Sequence, residues 1–174
     1  ALPIYPDFAA AARFFGFRPN MLADIGALRM TPERRAKRRS TLNCSELPIL
    51  ATGDAERINH LARIKWGEVD DTDPNRLNVE AGQWMEPLIL TWLEEQLGVE
   101  VTRRGEIVTH KRRPWLSCTL DGFVVYEGEP LVVQAKFFSS FHKVEHAAQE
   151  RAPQVLGEAY CAGAVGTLLL RARS

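Results

Sequence analysis

The chain has 174 residues, 45% apolar and 25% charged, which fits one soluble globular domain with a sizeable core and no bilayer-length apolar run. Its 22 basic and 22 acidic residues cancel, which argues against a nonspecific nucleic-acid binder. Cys44, Cys118 and Cys161 are widely spaced, with no Cys-x-x-Cys pair and no Cys/His cluster, and read as reduced cytosolic thiols rather than a zinc site.

Residues 1–20 lack the charged flank and cleavage pattern of a signal peptide, and the missing initiator Met suggests trimming. Residues 8–17 are Ala- and Phe-rich and read as a helix or a docking arm. A basic helix then opens at Thr31-Pro32-Glu33: Thr31 suits an N-cap, Pro32 the first turn, and Glu33 the positive end of the dipole. Residues 44–51 and 55–66 look helical, broken by Thr52-Gly53-Asp54. The clearest helix is 77–97, with an apolar stripe of Met85, Leu88, Trp92 and Leu93, and Gly98 as its stop. Pro87 should kink it or mark its first turn.

Beyond Gly98 the composition turns to strands, at 99–102, 106–110, 119–126 and 131–137, with a turn at 127–130. Residues 140–162 return to helix, and 166–171 end as a strand. The order predicts an α/β fold, a central mixed β-sheet flanked by helices, in a single domain spanning 1–174. Within it, 1–30 would be an N-terminal arm or helix and 31–174 the core.

Charge is unevenly spread. Arg34, Arg35, Lys37, Arg38 and Arg39 form one block, and Arg103, Arg104, Lys111, Arg112 and Arg113 another. Two such blocks line a phosphate-tracking groove or are simply two solvated faces.

Asp121 precedes Gly122, and thirteen positions after it comes Gln134. Gln134 and Lys136 are two apart on a strand and project from one face. If the strands pair through the turn at 127–130, Asp121 sits near Gln134. A hard cation would then find a carboxylate, an amide oxygen and the Ala135 carbonyl, and Lys136 would orient or deprotonate an attacking water. On spacing alone the pattern is also that of the wet face of a half-buried strand. Glu86 lies on an otherwise apolar helix, either as a metal-site carboxylate or as a surface residue near the helix start. Ser45 caps the following helix or joins Arg38 in a phosphate pocket. Gln154 faces either solvent or the site.

Taken together, Arg38 and Ser45, Gly82-x-x-x-Glu86, Asp121-Gly122, Gln134-x-Lys136 and Gln154 stand in the order seen in lambda-type phage recombination exonucleases, and residues 34–170 resemble that YqaJ-like viral recombinase family. The resemblance implies a PD-(D/E)XK restriction-endonuclease-like core and Mg²⁺-dependent degradation of linear double-stranded DNA from a 5′ end, with Mn²⁺ as an alternative ion. It implies a trimeric ring on DNA ends, a single-strand annealing protein as partner, no membrane association, and a bacterial or phage-infected host cytosol. By position, Asp121, Gln134 and the Ala135 carbonyl would bind metal, with Glu86 assisting a second ion. Lys136 would serve the water, Arg38 and Ser45 would hold the 5′-phosphate, and Gln154 would support the site.

One departure stands out: the family has Glu where this chain has Gln134, which keeps an acceptor oxygen but loses the charge. It is a natural variant, an engineered substitution, or the mark of a weakened nuclease that binds DNA ends without efficient cleavage. A structure-specific or restriction-type endonuclease is the other alternative. The chain is also short after Gln154 for this family, which missing C-terminal or internal segments would explain.

Overall fold

The computed structural model describes residues 31–70, 76–138 and 144–173, so the arm expected at 1–30, with its stretch at 8–17, lies outside the described residues. The basic helix forms where its start signals place it. Helix α1 (Pro32–Arg39) is capped by the Thr31 hydroxyl, which accepts the Arg34 N–H at 3.3 Å. Lys37, Arg38 and Arg39 fall in its last turn, where the dipole favours cations.

A short strand, β1 (Leu42–Asn43), then a 3-10 turn (Cys44–Glu46), α2 (Leu47–Ala51) and α3 (Ala55–Trp66) follow. The helical run expected over 44–51 is split because the cap is Asn43. Its side chain accepts the Ser45 N–H at 3.2 Å, and Glu46 reaches back to the Asn43 N–H at 2.8 Å. Ser45 is therefore not a helix cap. Helix α4 (Arg76–Leu97) carries Pro87 buried in its interior rather than in its first turn, and Gly98 ends it at φ 64°.

The strands are β2 (Ile107–Thr109), β3 (Leu116–Thr119), β4 (Gly122–Tyr126) and β5 (Glu129–Phe138), then β6 (Gly166–Arg173) after helix α5 (Val144–Ala162). Two expectations change. The strand over 99–102 reduces to one antiparallel bridge, Thr102 to Phe123, because the Val101 N–H is taken by the Glu94 side chain at 2.9 Å. The strand over 119–126 breaks at Leu120 and Asp121 into β3 and β4.

The mixed sheet is realised as two three-stranded sheets, β1-β3-β2 and β4-β5-β6, each with one parallel and one antiparallel pairing. Thr102 bridges to Phe123 at the edge of β4, and the Leu120 N–H extends the β2–β3 pairing by donating to the Glu106 carbonyl at 2.9 Å. Strands β4 and β5 are joined at Glu127-Gly128, both at positive φ (52° and 83°), the geometry of a type I′ hairpin turn that suits strand twist. Helix α5 is the crossover that makes β5 and β6 parallel.

Strand β5 is buried on both sides. Val133 and Ala135 pack with Ile89, Leu90 and Leu93 of α4, while Val132 packs with Cys44, Leu116, Cys118, Leu120 and Cys161 of α5. Gly122 begins β4 where α4, β5 and Val101 converge, and an added Cβ would overlap Val101 Cγ1 and lie 3.5 Å from Val133 Cβ. Valine is short and stiff at χ1, so it yields little. Gly122→Ala is therefore expected to cost about 1–3 kcal/mol, read as a lower urea midpoint at unchanged m.

Candidate active site

Strand alternation turns Gln134 and Lys136 toward α5 and Ala135 toward α4. Asp121 occupies the break between β3 and β4. Gly122 pairs with Val133, so continuing the antiparallel register one step sets Asp121 opposite Gln134. Its carboxylate accepts the Ala135 N–H at 2.9 Å and the Gln134 side-chain amide, and Lys136 Nζ lies 3.9 Å away. The structure thus brings Asp121, Gln134, Ala135 and Lys136 together.

Helix α5 completes the cluster. Gln154, only 4% exposed, faces the site: its Nε2 donates to Gln134 Oε1 at 3.1 Å and to Glu158 Oε1 at 2.8 Å. Arg151 donates to Gln154 Oε1 at 3.4 Å. The spacing of 151, 154 and 158 puts all three on one helix face. Burial raises the Asp121 pKa above the ordinary carboxylate range, opposed by Lys136, the Ala135 N–H and the Gln134 amide. Burial first, then repulsion from Asp121, pushes Glu158 up to about 8.

Glu86 sits half-buried in the middle of α4, the helix that covers the Ala135 face rather than the Gln134 face. It is not a surface residue at a helix start.

A second polar centre lies at the end of α1. Arg38 Nη2 donates to Ser45 Oγ at 3.2 Å, and Arg38 Nε is buried with no hydrogen-bond partner among the described residues. The Ser45 hydroxyl donates in turn to Asn43 Oδ1 at 2.9 Å. Arg38 Nη2 also pairs with Glu46 at 3.8 Å, and Glu46 is bound more closely by Lys65 at 2.7 Å and by the Asn43 N–H. Ser45 also lines a cleft of about 650 Å³ between the 3-10 turn, α2, α3 and α5, whose charged lining is Arg57, Arg151 and Glu150.

The two polar centres are joined by packing that the sequence did not advertise. Cys44, next to Ser45, Cys118 on β3, and Cys161 on α5 bring their sulfurs within 4.8 Å of one another in the core. The thiols are free, as expected, but they are a cluster and not three isolated residues. The basic blocks also meet: Arg34 donates to the Gly105 carbonyl at 2.6 Å, beside Arg103 and Arg104. Much of the second block is already engaged. Arg103 binds Glu106 at 2.8 Å, Arg104 binds Glu94 at 2.6 Å, and Arg113 donates to the Tyr160 hydroxyl at 3.1 Å. Sequence reading missed Glu158, Arg151 and Arg57. The i, i+3 and i+4 spacing from Gln154 was the available signal for the first two.

A family model, the YqaJ-like viral recombinase domain, matches residues 50–164. No curated protein matches the chain. Among solved structures, the chain is similar to LHK-Exo in complex with dAMP, at 19% identity and a TM-score of 0.66 over 81% of this chain and 73% of that one. It is likewise similar to an alkaline exonuclease (LHK-Exo) from Laribacter hongkongensis, at 18% identity and a TM-score of 0.67 over 83% of this chain and 75% of that one. At these identities the likeness is one of fold, and the fold is of the PD-(D/E)XK type.

Proposed function

Because the chain belongs to the YqaJ-like viral recombinase domain family, we propose that it is a Mg²⁺-dependent exonuclease that degrades linear double-stranded DNA from a 5′ end, leaving 3′ single strands for recombination by annealing. The observation that carries this reading is the convergence of Asp121, Gln134 and Lys136 at the β3–β4 break, with the Arg38 and Ser45 centre held apart from it.

The donors fit a hard divalent cation, because carboxylate, amide and backbone carbonyl oxygens are what such ions take. Asp121, Gln134 and the Ala135 carbonyl would hold it, Mn²⁺ serving as well as Mg²⁺, and Glu86 would assist a second ion from α4. The ion would supply charge to the phosphoryl oxygens and acidify water. The chain's own residues do the rest. For Gln134 to offer its oxygen on the Asp121 side, its amide would turn over and give up its present bonds to Asp121 and Gln154. Lys136, an ammonium beside Asp121, orients the attacking water and stabilises charge building on phosphate. Arg38 binds the terminal phosphate. Its Nη2 already reaches Ser45, and its partnerless Nε gives the guanidinium a second N–H to offer.

Nucleotide release from linear duplex tests the reading, with 5′-phosphate and 5′-hydroxyl ends compared across a Mg²⁺ and Mn²⁺ titration. Release should depend on the ion and favour the phosphorylated end. Arg38→Ala should slow the phosphorylated substrate about tenfold to a hundredfold and erase the preference, as expected for a lost charge-assisted bond. No release at any ion level, by the wild type and by Gln134→Glu alike, would sink the proposal.

The neutral Gln134 favours one alternative, a protein that binds DNA ends and cuts poorly; Gln134→Glu should then raise cleavage sharply. Nicking of closed circular DNA would instead favour a structure-specific endonuclease. The proposal extends to a ring-shaped homotrimer threaded by DNA, a single-strand annealing partner and a cytosolic setting. Among the described residues, no helix is long and apolar enough to cross a membrane.

A further inference from the structure

We infer that Glu158 supplies the carboxylate charge that position 134 lacks: the second acidic residue of the cation site stands on α5, one turn beyond Gln154, instead of on β5. This rests on the cation-dependent reading above.

Gln134 is 1% exposed and cannot carry charge. Glu158 is 2% exposed and belongs to the same hydrogen-bonded chain. From Asp121 the chain runs through the Gln134 amide to Gln154, whose single Nε2 is shared between Gln134 at 3.1 Å and Glu158 at 2.8 Å. Two carboxylates therefore end one network, with two amides between them.

Nothing else described accounts for a carboxylate in this place. Its Oε1 takes the Gln154 amide, but its Oε2 is buried with no hydrogen-bond partner. Arg151 shares its helix face yet gives its guanidinium to Gln154 Oε1. The cations beside the network are Lys136, 3.9 Å from Asp121, and Arg151, which bonds Gln154 Oε1. Neither is a hydrogen-bond partner of the Glu158 carboxylate, whose Oε2 has none among the described residues. Burying a carboxylate so is costly unless counter-charge comes to it, and a divalent cation brings it.

The test measures ion binding without DNA, using Mn²⁺ followed by electron paramagnetic resonance and Mg²⁺ by calorimetry. Glu158→Gln preserves shape and the acceptor for Gln154. It should weaken Mn²⁺ binding about tenfold or more, the scale on which groups supporting a metal site act. Returning the charge to the strand, in Gln134→Glu/Glu158→Gln, should restore affinity. Gln134→Glu should gain far more in the Glu158→Gln background than alone. If Glu158→Gln fails to fold, Glu158→Asp, whose shorter carboxylate should also weaken binding, is read the same way.

Unchanged Mn²⁺ affinity in the Glu158 variant overturns the inference, and so do equal gains from Gln134→Glu in both backgrounds. Ion binding with these dependences but no nucleotide release leaves Glu158 in its role and removes the exonuclease reading. Release from duplex with Mn²⁺ binding indifferent to Glu158 does the reverse.

Discussion

Lys136→Ala is expected to cut nucleotide release from linear duplex by about a hundredfold to ten-thousandfold, the range for losing a positioned acid or base. Binding of DNA ends should change little, because the end grip is assigned to Arg38 and Ser45 on other elements. Two losses combine. The water and the developing charge lose an ammonium, and Asp121 loses the positive neighbour that opposes its burial-raised pKa. Asp121 in the variant therefore holds its proton to higher pH, and activity should recover partly as pH rises. Lys136→Arg keeps the charge, but its planar fork replaces a compact ammonium beside Asp121, so rescue should be small. Single-turnover release and cation-free end binding separate the effects. Equal losses in both would mean that Lys136 grips DNA rather than serving the chemistry.

Why some of this was legible in the sequence and some was not comes down to which interactions are local. Thr31, Pro32 and Gly98 act within one turn of their helices, so the start of α1 and the end of α4 could be read directly. The pairing of Asp121 with Gln134 was readable too, because a hairpin turn fixes register and period-two alternation fixes the face. Strand β1 was missed because two residues carry no periodicity, and its pairing with Leu116 and Ser117 is wholly non-local. The extension at 99–102 failed for a similar reason: a Glu94 side chain captured the backbone donor.

Ser45 was ambiguous between cap and phosphate ligand because both need a hydroxyl at a helix start. Asn43 settled the first by taking the cap. The cysteine cluster was invisible, since linear spacing says nothing of residues gathered from a turn, a strand and a helix. Glu158 was the instructive miss. A glutamate mid-helix is ordinarily solvated, and only the packing of α5 on β5 makes this one buried.

That burial has a consequence for stability in cation-free protein. Glu158 is pushed up to about 8 in the fold, while an unfolded glutamate titrates near 4.3. Between those values the native state holds a proton that the unfolded state has released, so stability falls as pH rises. The contribution is fully present below about pH 4.3 and lost as pH climbs through about 8. A shift of this size corresponds to about 3–5 kcal/mol for a group so deeply buried. Glu158→Gln does not titrate and still accepts the Gln154 amide. In EDTA it should match the wild type near pH 5 and be more stable by that margin near pH 9. Asp121 is present in both proteins, so the difference between their urea-unfolding profiles reports on Glu158 together with its repulsion from Asp121. Parallel profiles from pH 5 to pH 9 would show that Glu158 ionises freely in the folded chain, and that water reaches its carboxylate despite the packing of α5.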